Sequence, residues 1–277
     1  MMYFLDYFNL KNTFFNLKSI FLKKKGDEMA VVNFVLQGKG GIGKSLASSL
    51  LSQYLLDRRQ LVACFDTDPV NTTFAAYDEL QATIVEIMDG DVINSRLFDT
   101  LIEKLIELPD NAYAVIDSGA STFFPLAAYL AENDIAQFFS DTGHKLVLHT
   151  LIAGGQAETD TIQGLNSLLN AFPGTPITIW VNPFFGQILE FSDTHELAKK
   201  NEKNGGVIIF LPSYKKETFG HDIETILKSR LTFDQAINSE RINIMAKQRL
   251  KIVCKDMWSL FDEAGLINEI QNTGTDS

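Results

Sequence analysis

Only two cysteines, Cys64 and Cys254, occur in 277 residues, in no C-x-x-C or Cys/His ligand spacing. That argues against a disulfide framework and a metal cage, fits a reducing compartment, and marks both as inert thiols. Histidine is equally sparse: His144, His149, His195 and His221 are scattered without the spacing of a metal site or a triad. Positive charge is short as well, 24 basic side chains against 35 acidic ones, for a net charge of -11. A field of that sign repels phosphate backbones, so DNA binding is not favoured. No apolar run approaches the length that spans a bilayer, so no transmembrane segment is expected and the main body reads as soluble and cytoplasmic.

What is present is 45% hydrophobic content, enough for one large α/β domain, placed at 29–270. Residues 1–28 read as an appendage ending in Lys23-Lys24-Lys25. Tyr3, Tyr7, Leu10, Phe14, Leu17 and Phe21 are spaced four and three apart, as on an amphipathic helix that lies on a membrane or a partner. The simpler reading is an upstream extension that is not natively translated, since Met29 directly precedes the first strand. Residues 271–277 are polar and read as a flexible tail.

The stretch that organises the chain is Gly38-Lys39-Gly40-Gly41-Ile42-Gly43-Lys44-Ser45, after the apolar run Val31–Leu36 and before a helical pattern. This is a phosphate-binding loop with its required flanks. Glycines let the backbone curl with N–H groups inward, and the helix N-terminus adds positive potential. Lys44 reaches the outer phosphates and Ser45 is placed for Mg²⁺.

A second strand, Leu61–Phe65, ends in Asp66-Thr67-Asp68-Pro69, two carboxylates at the edge where ligands of open α/β sheets sit. A capped turn is the alternative reading of that tetrapeptide. Residues 83–88 suggest a short strand, and Met88–Asn94 a polar turn before Leu97, Leu101 and Leu105 at helical spacing. Ala112–Asp117 suits a strand ending in a Mg²⁺-supporting aspartate, with Ser118-Gly119-Ala120-Ser121 as a loop that senses the terminal phosphate. Phe123–Phe139 reads as one helix, 145–152, 177–181 and 206–211 as further strands, and 153–169 as a βα turn with its helix. This alternation predicts a mostly parallel twisted sheet with helices on both faces.

Helices are expected at 222–228, 233–238 and 241–264. Between Arg241 and Lys255 the charged residues are all basic, either a contact for an acidic partner or nucleic acid, or, as the preferred reading, the solvated face of a helix.

Lys39-Gly40-Gly41-Ile42-Gly43-Lys44-Ser45, Asp66-Thr67-Asp68-Pro69 and Asp117 together resemble the deviant Walker A class of P-loop ATPases, the MinD/ParA class. Gln37–Gly41, Asp66–Phe74, Met88–Asp91, Asp117–Ser121 and Arg249–Val253 also resemble the TraL group of conjugal-transfer proteins and its plasmid-stability relative StbC, from Met29 to about Ala264. The resemblance implies a switch ATPase that binds ATP and Mg²⁺, forms a homodimer with ATP, and turns over slowly until a partner stimulates it. It implies that Lys39 reaches the partner subunit's phosphates, that Lys44 binds the β and γ phosphates, and that Asp68 orients the attacking water. Ser45, Asp66 and Asp117 would support the metal, Asn182 would recognise the adenine edge, and the backbone near Pro212 would close the base pocket.

The class pattern has departures. Asp68-Pro69-Val70-Asn71 replaces the usual Asp-Pro-Gln of partition ATPases, and Asp117-Ser118-Gly119 replaces a proline-rich turn. The expected role is plasmid conjugal transfer or maintenance through a contact with another protein, such as the conjugation machinery, in the cytoplasm or at the membrane periphery. The alternatives are an ATP-dependent metabolic synthetase or ligase on the same scaffold, and a ParA-like DNA-binding positioning ATPase that uses Arg241, Lys247, Arg249 and Lys251.

Overall fold

The computed structural model describes residues 29–193 and 195–267, so the extension at 1–28 and the tail at 271–277 lie outside the described residues. In chain order the strands are β1 (Ala30–Val35), β2 (Leu61–Asp66), β3 (Thr83–Ile84), β4 (Met88–Asp89), β5 (Val92–Ile93), β6 (Ala112–Asp117), β7 (His144–Ala153), β8 (Ile177–Asn182) and β9 (Val207–Phe210). The α-helices are α1 (Lys44–Asp57), α2 (Phe98–Ile106), α3 (Phe123–Glu132), α4 (Ile135–Asp141), α5 (Glu158–Ala171), α6 (Glu196–Lys203), α7 (His221–Lys228), α8 (Phe233–Asn238) and α9 (Ile244–Glu263).

Among the described residues, seven strands form one sheet in the order β3-β2-β6-β1-β7-β8-β9, every neighbour pair parallel. Central strands bury both faces, which is why β1, β6 and β8 are buried at every position and read as continuous apolar runs. The two faces hold separate cores. Val32, Phe34 and Ile116 point to the layer of α2, α3 and α5. Val31, Val35 and Val115 point to α1, and Trp180 to the ring cluster of Tyr54, Trp258 and Phe261 that joins α1 to α9. The fold is thus the parallel α/β fold of P-loop NTPases.

Three boundaries differ from expectation. The run Phe123–Phe139 is two helices, because Asp134 adopts a left-handed conformation (φ 48°) that an uninterrupted helix cannot contain. The expected strand at 83–88 pairs with β2 only at Thr83 and Ile84. Its last residue belongs instead to the antiparallel hairpin β4–β5. The last helix begins at Ile244, where Asn243 Oδ1 accepts from the Ala246 N–H.

One polar chain crosses the sheet interior. Trp180 Nε1 donates to His149 Nδ1 (3.0 Å), which places the ring proton on Nε2, 3.0 Å from Asn33 Oδ1. Asn33 Nδ2 donates to the Ala114 carbonyl (2.9 Å), tying β1, β6, β7 and β8 together. Full burial drives the His149 pKa down to about 3, so the ring is neutral.

Candidate nucleotide site

The C-terminal ends of β1, β2, β6 and β8 bring Lys44, Ser45, Asp66, Asp68, Asp117 and Asn182 to one edge, while Lys39 stands on the exposed rim. Gly43 is the N-cap of α1 at φ 102°, a conformation costly for any side chain, and it aims the unpaired N–H groups of the first turn at the loop. No acidic residue lies in that first turn, so its positive end is left for an anion. Ile42 is buried in the core beside α1 and anchors the loop between its glycines.

Lys44 is 7% exposed, and its Nζ donates to the Lys39 carbonyl (3.0 Å) across the loop. Burial lowers its pKa, with Asp117 and Asp68 opposing that shift. Asp117 is fully buried at the end of β6. Its Oδ2 accepts from Ser45 Oγ (2.6 Å) and its Oδ1 from Ser48 Oγ (2.8 Å). Desolvation raises the Asp117 pKa to about 7 against the pull of those two hydroxyls. A desolvated carboxylate beside hydroxyl oxygens is a hard-oxygen donor set of the kind that Mg²⁺ takes.

Asp66 is paired in register with Asp117 on the neighbouring strand. Its Oδ1 accepts from the Asp68 N–H (3.0 Å) and its Oδ2 from the Ala75 N–H (2.9 Å), so this carboxylate holds the turn that follows β2. Burial pushes its pKa up, also against its bonds from the backbone. Asp68 Oδ1 accepts from the Val70 and Asn71 N–H groups (2.9 and 3.0 Å), the capped turn weighed above. Its Oδ2 has no hydrogen-bond partner among the described residues. A Cβ on Gly119 would stand 2.8 Å from Asp68 Cγ, so only glycine lets the loop after β6 close on that carboxylate.

Asn182 is less open than expected. Its Nδ2 donates to the Ile42 carbonyl (3.1 Å) and its Oδ1 accepts from the Phe184 N–H (3.1 Å), so the amide ties the phosphate loop to the turn after β8. Pro212 follows β9, one strand further out. Lys39 points away from its own loop: its Nζ is 2.7 Å from Asp160 Oδ2 in the first turn of α5, with both side chains about half exposed.

Several positions were missed in the sequence. Ser48 lies one turn after Ser45, and that spacing was a usable signal for a second hydroxyl on Asp117. Gln37 was legible only as part of the TraL-like segment 37–41, with no role attached. Its Nε2 donates to the Leu151 and Thr161 carbonyls (3.0 and 3.1 Å) while its Oε1 accepts from the Gly38 N–H (2.8 Å), which roots the loop in β7 and α5. Glu158 is 3% exposed, and its carboxylate accepts the N–H groups of Leu189, Glu190 and Phe191 at 2.7–3.0 Å. Both cysteines are removed from the site. Burial pushes Cys64 up to about 11 and Cys254 to about 12.

No protein-family model matches the chain. Two curated Escherichia coli proteins named Protein TraL align over 243 residues, at 43% and 40% identity, covering 86% of this chain and 100% of each relative. Among solved structures, the chain is similar to the MinC:MinD cell division protein complex of Aquifex aeolicus at a TM-score of 0.47, with 11% identity over 82% of this chain and 95% of that one. A plasmid partition protein from Borrelia burgdorferi is similar at 0.41, with 14% identity over 73% and 98%. A nucleotide-binding protein in complex with ADP from Archaeoglobus fulgidus is similar at 0.42, with 14% identity over 73% and 86%.

Proposed function

The chain belongs to the TraL family, and from that premise we propose that it is an ATP-binding and hydrolysing switch acting in plasmid conjugal transfer or maintenance. The observation that carries this reading is Asp117, held by the hydroxyls of Ser45 and Ser48 beneath a loop whose buried Lys44 bridges it from the other side. Those groups form a cation and phosphate cradle with little left to assemble. Phosphoryl transfer asks mainly for positioning and charge neutralisation, which such a cradle supplies.

In this reading the glycine-rich loop from Gly38 to Gly43 and the first turn of α1 hold the phosphates through backbone N–H groups, and Lys44 binds the β and γ oxygens. Ser45 and Asp117, with Asp66 behind Asp117, would hold Mg²⁺, whose charge would offset that of the phosphates. The free Oδ2 of Asp68 orients the attacking water. Asn182 and the backbone at Pro212 border the base. Lys39, on the rim, leaves Asp160 to reach phosphates bound by a second copy, so ATP couples to homodimer formation and the output is a contact with another protein.

The test pairs two variants. Lys39→Ala is expected to keep nucleotide affinity, measured with a fluorescent ATP analogue, while light scattering shows the ATP-dependent dimer lost. Lys44→Ala is expected to lose roughly 10- to 100-fold in affinity, the scale of a charge-assisted hydrogen-bond set. Unchanged dimerisation of the Lys39 variant, or no wild-type dimer in ATP, would overturn the composite-site reading.

A further inference from the structure

Among the described residues the densest run of one charge sign begins just before α9 and covers its first three turns: Arg241, Lys247, Arg249, Lys251 and Lys255, with no acidic residue between them, in a chain of net charge -11. Arg249 is spent inside the fold on Asp222. Lys247, Lys251 and Lys255 follow at i, i+4 and i+8, so they stand in one line along the helix. None of the three has an ion-pair partner among the described residues.

That line borders a cleft of about 460 Å³ between α9, α8 and the C-terminal end of α1, lined by Lys251, Lys255, Trp258, Cys254 and Ile237. At its far end, Arg58 pairs with both Asp57 (2.5 Å) and Asp262 (2.7 Å), which offsets one of those two negative charges, and with unpaired Lys251 and Lys255 the lining is net positive by one charge. One further feature suits a ligand with apolar groups as well as charge: Ile244, on the lysine side of the helix, is 77% exposed.

We propose that this cleft and its lysine line dock an acidic, amphipathic segment of a partner protein. Carboxylates at helical spacing lie along Lys247, Lys251 and Lys255, and apolar side chains from the same segment rest on Ile237, Ile244 and the Trp258 edge. A nucleic acid would meet the same lysines, but it has no apolar side chain for the cleft, and the net charge of -11 opposes its dense phosphate charge more than that of a short acidic segment. The site is at the opposite end of α1 from the phosphate loop, about 20 Å along a 14-residue helix. A partner held there leaves the nucleotide edge uncovered.

The test uses fluorescence anisotropy with the full chain and three labelled probes: a synthetic amphipathic helix of Glu and Leu, the same peptide with Gln for Glu, and a short DNA duplex. The acidic peptide is expected to bind best and to weaken as salt rises. Lys251→Glu with Lys255→Glu should weaken it about tenfold or more. The control pair Lys215→Glu with Lys216→Glu, of equal charge change, should not. Circular dichroism and affinity for the fluorescent ATP analogue should be unchanged in both pairs. The proposal is overturned if the acidic peptide does not bind at low salt, if the Gln peptide binds equally, if the α9 pair leaves binding intact, or if DNA binds more tightly with the same lysine dependence.

Discussion

Lys39 Nζ is 2.7 Å from Asp160 Oδ2, an ion pair between the rim of the phosphate loop and the first turn of α5, across 121 positions of chain. Because both side chains are about half exposed, solvent screens the pair and it contributes at most about 1 kcal/mol. The bond is weak enough for Lys39 to be exchanged to another anion.

Asp160→Asn is therefore expected to leave stability to urea within about 1 kcal/mol of wild type. With Lys39 released in both protomers, ATP-dependent dimerisation measured by light scattering should strengthen by up to roughly 30-fold, two such pairs expressed as an equilibrium. A dimer weakened by this substitution would mean that Asp160 itself contributes to the assembled site.

Asp117 titrates at about 7 in the fold against an ordinary value of 3.8, because burial disfavours its charge. The favourable contribution of its proton is complete below the unfolded value and is lost as pH rises through 7. In nucleotide-free protein without Mg²⁺, Asp117→Asn should be more stable than wild type at pH 8, and the gap should narrow as pH falls towards 4. Urea denaturation at several pH values reads this directly. A gap that grows on acidification would refute the assigned direction.

His149 has the opposite sign. Its folded pKa of about 3 lies below the ordinary 6.5, so its contribution is complete above 6.5 and is lost as pH falls towards 3. Between about pH 4 and 6.5 the two groups offset each other in wild type. Asp117→Asn should expose an acid destabilisation approaching roughly 1.4 kcal/mol per pH unit, and adding His149→Gln should flatten it.

Glu158 bears the cost of burial, but the N–H groups of Leu189, Phe191 and Glu190 outweigh it and hold its carboxyl below the usual range. Glu158→Ala leaves those donors without their acceptor and is expected to cost about 2–3 kcal/mol. Hydrogen exchange should accelerate at residues 189–191 and remain slow in α1. Uniform acceleration throughout the chain would instead indicate a general loss of the fold.

The strands and the phosphate loop were legible because their signals are local. Val31–Leu36 and Ala112–Asp117 are apolar because parallel strands are buried on both faces, and Gly43 to Ser45 must be read as a unit for a helix to start at a phosphate. Asp66, Asp68 and Asp117 were recognisable as a set because each ends or follows a strand. What each carboxylate touches was not legible. Asp66 and Asp68 close a turn, and Asp117 alone faces the loop hydroxyls. The break at Asp134 also escaped, since φ at one residue leaves no trace in an apolar pattern.

By itself the amino-acid order determined the sheet, the loop and the edge at which chemistry gathers, because periodicity and strand-end position depend on residues close in sequence. Only the tertiary structure decided that Lys39 meets Asp160, that Ser48 joins Ser45 on Asp117, and that Gln37 roots the loop in β7 and α5. Those contacts join residues 69 to 124 positions apart. Their geometry exists only after the crossovers have placed β6, β7 and α5 around β1.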